Sequence, residues 1–132
     1  MGMPVRDIAR ATEFYRQALA PLGYGIVMEV SAEETGHGAA IGFGAPGEAA
    51  DFQSGKPSFW IGEGPHLSGP IHVAFLAASR EAVDAFYCAA IDAGGKDNGE
   101  PGLRPHYHAN YYAAFVLDLD GNNVEAVCHA PS

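Results

Sequence analysis

A chain of 132 residues is long enough for one packed domain and short for two. Its hydrophobic share of 48% excludes a disordered chain, and no apolar run is long enough to span a bilayer. Seven basic side chains against sixteen acidic ones, a formal net charge of −9, exclude nucleic acid as a partner, because that binding needs clustered Lys and Arg.

In chain order, Asp7 is a good N-cap, and Ile8, Ala11, Tyr15, Ala18, Leu19 and Leu22 follow at helical spacing until Pro21 and Gly23 close the helix. Tyr24 to Val30 is expected as a strand with Tyr24, Ile26, Met28 and Val30 on one face. Residues 31–38 are turn-like, Ala39 to Phe43 form a short strand, 45–57 a loop, Ser58 to Ile61 a strand and 62–70 another loop. Ile71 to Leu76 is again a strand. Ser79 caps a helix whose apolar stripe is Val83, Phe86, Tyr87, Ala90 and Ile91, and Gly94-Gly95 ends it. Residues 96–110 are expected to be mostly irregular. The run Tyr112 to Leu117 then leads into Asp120-Gly121, a strong hairpin signal, and the returning strand ends near His129. Cys88 and Cys128 both lie in apolar patterns and no leader-like pattern opens the chain, so they are expected as reduced core thiols of a cytoplasmic protein.

The two halves repeat. Moving the first helix by 72 positions puts Asp7 on Ser79, Ala11 on Val83, Phe14-Tyr15 on Phe86-Tyr87, Ala18-Leu19 on Ala90-Ile91 and Gly23 on Gly95. Each unit is then a strand, a helix and three strands. Neither unit closes its own sheet face, so the two should pair into one body.

Strand alternation places the polar residues. Ile71, Val73 and Phe75 share the face that packs on a helix, which leaves His72 on the other. In the last strand Val124, Ala126 and Cys128 face the helix, and Glu125, Val127 and His129 face away. A carboxylate in an apolar strand costs free energy unless something pairs or coordinates it. His72 with Glu125 is a pair suited to holding a divalent metal or to acid–base work, although a lone His or Glu on a strand is more often solvent-facing or satisfied by a neighbour than catalytic.

Val5-Arg6-Asp7 before a helix holding Phe14-Tyr15, then His72-Val73-Ala74-Phe75, then Asp118-Leu119-Asp120-Gly121-Asn122-Asn123-Val124-Glu125, resembles the vicinal oxygen chelate superfamily, which includes glyoxalase I, bleomycin- and fosfomycin-resistance proteins and extradiol dioxygenases. The resemblance runs over essentially the whole chain. It implies an α+β domain, residues 1–132, built of βαβββ modules 1–65 and 66–132, whose eight strands form a cup-shaped mixed sheet around a cleft with the helices outside, often as a homodimer. It implies metal ligands (Zn, Ni, Fe or Mn) from the first and last strands of each module. His72 and Glu125 match the second-module places. The first-module places do not match: the counterpart of His72 falls at residue zero, and Ser58 to Ile61 offers no strong ligand.

Between Arg104 and Tyr112 the chain is dense in imidazole, phenol and guanidinium. His108 is the expected third metal ligand, and His106, Tyr111 and Tyr112 are expected to touch substrate, or else to form a polar loop with wet hydroxyls. Arg104 is expected to pair a substrate carboxylate or a neighbouring acid such as Glu100. Trp60 is assigned to the cleft, with core packing as the equal alternative. His37 and His66 receive no role. Two functions follow from the resemblance. One is a glyoxalase-like small-molecule enzyme of lyase, isomerase or dioxygenase type with Glu125 as base. The other is a metal-free protein that sequesters a cationic drug or metabolite.

Overall fold

The structure, a computed structural model, describes residues 2–30, 39–44, 59–63 and 71–130. The turn expected at 31–38, the loop at 45–57, most of the loop at 62–70, His37 and His66 lie outside them. The elements are β1 (Gly2–Val5), α1 (Ile8–Leu19), a 3-10 turn (Ala20–Leu22), β2 (Gly25–Val30), β3 (Ala40–Gly44), β4 (Phe59–Glu63), β5 (His72–Leu76), α2 (Arg80–Asp92), β6 (Lys96–Leu103), β7 (Tyr112–Leu117) and β8 (Asn123–Cys128). They form two four-stranded sheets, ordered β1-β4-β3-β2 and β5-β8-β7-β6. In each, the first strand runs parallel to the last and the remaining pairs are antiparallel. This is the expected pair of βαβββ modules in an α+β fold. The eight strands divide between two open sheets and do not hydrogen-bond into a closed barrel.

The caps act as their sequence suggests: Asp7 accepts from the Arg10 N–H and Ser79 from the Ala82 N–H. α1 buries Ala11, Phe14, Tyr15, Ala18 and Leu19, and α2 buries Val83, Phe86 and Ala90. Phe59 of β4 meets Phe75 of β5 edge-on at 5.2 Å, and Tyr24 meets the same ring at 5.0 Å, so one core joins the modules. Gly23 takes φ 83°, but in the second module the left-handed residue is Gly94, φ 106°, one place early. Gly95 is small for a different reason: a Cβ there would stand 2.5 Å from Val116 and 2.9 Å from Phe14.

Three expectations need correcting. Residues 96–103 are a strand, not irregular chain. β6 is mostly exposed and shifts register at Asp97/Gly99 and again at Gly99/Gly102, so its glycines and Pro101 erase any apolar alternation. β1, the first strand that the repeat requires, is present although its four residues, one a proline, carry no strand pattern of their own. In β2 the register slips between Ile26 and Met28, which turns Val27 inward and leaves Met28 45% exposed, off the face expected for it. Cys128 is a buried thiol, but Cys88 lies on the exposed side of α2.

The hairpin between β7 and β8 spans 118–122, longer than a two-residue turn, with Gly121 at φ 83°. Asp118 organises it. One carboxylate oxygen accepts the N–H groups of Asp120 and Asn122, and the other accepts the Asn122 amide and the Tyr15 hydroxyl of α1 at 2.5 Å. The Asn122 side chain, fully buried, accepts the Ile71 N–H at the entry to β5. The Asp-x-Asp-Gly-Asn motif is therefore a splice between modules as well as a turn.

Candidate functional site

The face of β5 away from the helices carries His72, Ala74 and Leu76, all exposed, while Val73 and Phe75 enter the core. β8 runs parallel beside it with Glu125 opposite Ala74. Unlike β5, β8 is covered on both sides, and Glu125 is only 2% exposed. Both of its oxygens are engaged. His72 Nε2 lies 2.9 Å from Oε1, and the Tyr111 hydroxyl donates a short hydrogen bond to Oε2. Burial, then the bond to Glu125, push the Tyr111 phenol up to about 12, so it remains a proton donor across the neutral range.

The hairpin tip between β6 and β7 supplies Tyr111. Its base is closed by the Arg104 N–H on the Tyr111 carbonyl at 2.6 Å. On this tip Tyr111 packs against Tyr107 at 4.8 Å, His108 at 5.2 Å and His129 at 5.4 Å, and the His106 ring lies tilted against Tyr107 at 4.3 Å. His108 Nδ1 accepts the Asn110 N–H, so the neutral ring carries its hydrogen on Nε2, which lies 2.7 Å from His129 Nδ1. Arg104 lays its guanidinium over Phe115, the cross-strand neighbour of Glu125, and donates to the carbonyls of Glu100 and Gly102 rather than to the Glu100 side chain.

His72, Glu125, Tyr111 and Arg104 are thus on one face. Tyr112 is not: next in sequence to Tyr111, it points to the opposite face, where its hydroxyl donates to Asp84 of α2 at 2.6 Å and its ring lies under Arg80. His108 belongs to the imidazole pair with His129. Among the described residues no three His, Cys, Asp or Glu side chains are grouped so as to hold one ion. Trp60 alternates with the core residues Phe59 and Ile61 and is half-buried on the other face. Its place follows from register: Ala74 pairs with Glu125, its counterpart Gly2 pairs with Trp60, so Trp60 stands in the first module where Glu125 stands in the second. Sequence reasoning passed over His129 and Phe115. For His129 the signal was present, since it alternates with Glu125. Phe115 required the β7–β8 register.

An apolar groove of about 500 Å³ runs along Pro21, Leu22, Gly23, Tyr24 and Leu76 to Ala78, and a cavity of about 230 Å³ lies between Arg6, Arg10 and Asp120. Neither is lined by His72 or Glu125.

The chain matches the model of the Glyoxalase/Bleomycin resistance protein/Dioxygenase superfamily over residues 1–126. It is similar to a glyoxalase/bleomycin resistance protein from Albidiferax ferrireducens, at 25% identity and TM-score 0.74, over 97% of this chain and 95% of that one. The fold is shared with the fosfomycin resistance protein FosX from Listeria monocytogenes, solved with Mn(II) and a dihydroxypropylphosphonic acid, at 16% identity and TM-score 0.63 over 96% and 84% of the two chains. It is shared too with glyoxalase I from Zea mays, at 20% identity and TM-score 0.66, of which this chain spans 45%. No curated protein sequence matches the chain. Among the described residues no helix is long and apolar enough to cross a membrane.

Proposed function

The chain belongs to the Glyoxalase/Bleomycin resistance protein/Dioxygenase superfamily, and from that premise we propose that it is an enzyme acting on a small molecule with Glu125 as general base. The observation that carries this reading is the Glu125 carboxylate itself: buried in an apolar strand and held by an imidazole on one oxygen and a phenol on the other. A fixed carboxylate can take a proton from a carbon or a water, and Tyr111 and His72 are placed to redistribute hydrogen bonds as charge leaves it. The chemistry is of lyase, isomerase or dioxygenase type. Unpaired Cys88 and Cys128 suit a reducing compartment, which supports a cytoplasmic location.

A divalent ion (Zn, Ni, Fe or Mn) is half accommodated. The 2.9 Å between His72 Nε2 and Glu125 Oε1 is about the spacing of two neighbouring ligands, each roughly 2.1 Å from one ion at about a right angle. The first module brings Trp60 in place of a second carboxylate. Two ligands fall short of a catalytic metal site, so His108 or another group would have to complete the shell, and no step here passes through an ion. The open face of β5, with Leu76 63% exposed, also supports a homodimer. Sedimentation equilibrium should give twice the chain mass, and Leu76→Asp should give a monomer.

The second reading is a metal-free binder of a cationic drug or metabolite. The net charge of −9 and an aromatic Trp60 in a ligand position favour it. Turnover of a panel of small carbonyl, catechol and epoxide compounds by wild type and Glu125→Gln, with metal analysis of chelator-free protein, decides between them. The enzyme reading expects turnover that falls by roughly a hundredfold or more in Glu125→Gln with the circular dichroism spectrum unchanged. Full activity in that variant removes Glu125 from the mechanism. No turnover, with tight binding of a cationic drug, favours the binder.

A further inference from the structure

The Arg104 guanidinium is immobilised on the sheet face that carries Glu125. Nη1 donates to the Gly102 carbonyl and Nη2 to the Glu100 carbonyl, each at 2.8 Å, and the central carbon lies 5.3 Å from the Phe115 ring centroid. Two glycines make this seat. A Cβ on Gly102 would stand 3.2 Å from Nη1, and one on Gly99 would stand 3.2 Å from Nη2 and 2.9 Å from the Phe115 ring. Phe115 pairs across the ladder with Glu125, and its ring is 6.4 Å from that of His72.

A guanidinium has five N–H donors. Two are used on carbonyls, and among the described residues no other acceptor takes the remaining three. Among the described residues no carboxylate forms an ion pair with Arg104. A half-buried cation that is already ordered and has no carboxylate partner among the described residues is well prepared to receive an anion, because the side-chain entropy of ordering is met before binding. Bonds to the Glu100 and Gly102 carbonyls tie the side chain to the irregular end of β6. They do not explain a charge laid on the ring beside the candidate base.

We propose that Arg104 determines specificity on this face and that the small molecule taken there carries a carboxylate, seated on the guanidinium with its reacting end toward Glu125. This rests on the reading of that face as the cleft. A carboxylate suits it better than a phosphate. The planar fork matches two coplanar oxygens, and a dianion would meet the Glu125 charge in a chain already at −9.

The test is calorimetric binding of benzoate to the full chain, with benzamide, phenyl phosphate and benzylammonium as matched probes. Benzoate is expected to bind at least about tenfold tighter than benzamide or benzylammonium. Arg104→Gln loses that preference while its affinity for benzamide stays the same. Arg104→Lys, which keeps the charge but not the fork, weakens benzoate by at least about threefold and serves alone should Arg104→Gln fail to fold. Benzoate that binds no tighter than benzamide, or equally well to both variants, overturns the proposal. So does tighter binding of phenyl phosphate or benzylammonium. Glu125→Gln separates the two readings: it should bind benzoate at least as tightly as wild type while losing turnover. Selectivity for benzoate with full turnover in that variant removes the base alone, and loss of turnover without selectivity removes the Arg104 proposal alone.

Discussion

Tyr111 is the residue on which the geometry of Glu125 most depends, since it holds the carboxylate oxygen that His72 leaves free. Its phenol is raised from 10.0 to about 12, by burial first and by the bond to Glu125 second. With the folded value above the unfolded one, its contribution to stability is whole below the ordinary tyrosine range and is lost as pH rises through about 12. Tyrosinate absorbance should therefore lose one late-titrating phenol in Tyr111→Phe, while the raised phenol of Tyr15 stays. If the missing phenol titrates near 10, the hydrogen bond to Glu125 is not there. The same variant should lose about tenfold or more in turnover, because the base is then free to rotate. Alternation alone brought His72 and Glu125 to one face. It could not choose between Tyr111 and Tyr112, because the choice depends on how β7 aligns with β8, and two adjacent tyrosines carry no mark of that register.

The hairpin at 118–122 shows how one element serves both modules. Four donors converge on Asp118, one of them from α1. Burial, and then the facing Asp118 carboxylate, push the Tyr15 phenol well above its ordinary value, so it donates at every accessible pH. Tyr15→Phe removes one donor from an acceptor that keeps three, at a cost of about 1 kcal/mol. Asp118→Ala strands buried donors on both modules and should cost about 3 kcal/mol or more. Urea unfolding of the two variants and of the double variant measures their coupling. Simple additivity would mean that the hydroxyl and the carboxylate do not meet. Gly95→Ala belongs to the same scale: its methyl has no room beside Val116 and Phe14, and should cost about 1–3 kcal/mol. The motif was visible in the sequence as a turn. Its role as a splice was not, since Tyr15 stands 103 positions away. β6 escaped notice because an exposed edge strand with bulges needs no apolar period.

At the scale of the whole molecule the repeat is sound in its scaffold and broken in its chemistry. Both helices start on a capping side chain at positions 72 apart, and both modules order their strands alike. A repeat of this kind was legible because caps and apolar stripes are written locally. The divergence at the site needed the ladders: only the pairing of Gly2 with Trp60 and of Ala74 with Glu125 shows which residues occupy equivalent places. Phe59 of β4 and Phe75 of β5 meet in the core at the module junction, and Trp60 alternates with the core residues of its strand as Glu125 does in β8; a carboxylate in place of Trp60 tests whether the two positions face one space. Trp60→Glu is then expected to raise Mn(II) affinity by at least about tenfold over wild type, and Glu125→Gln in that background should abolish the gain. Unchanged affinity would mean that the two positions do not face a common space within one chain. The metal would then require ligands from two chains, and the two-ligand character of this sequence would be a property of the subunit rather than of the site.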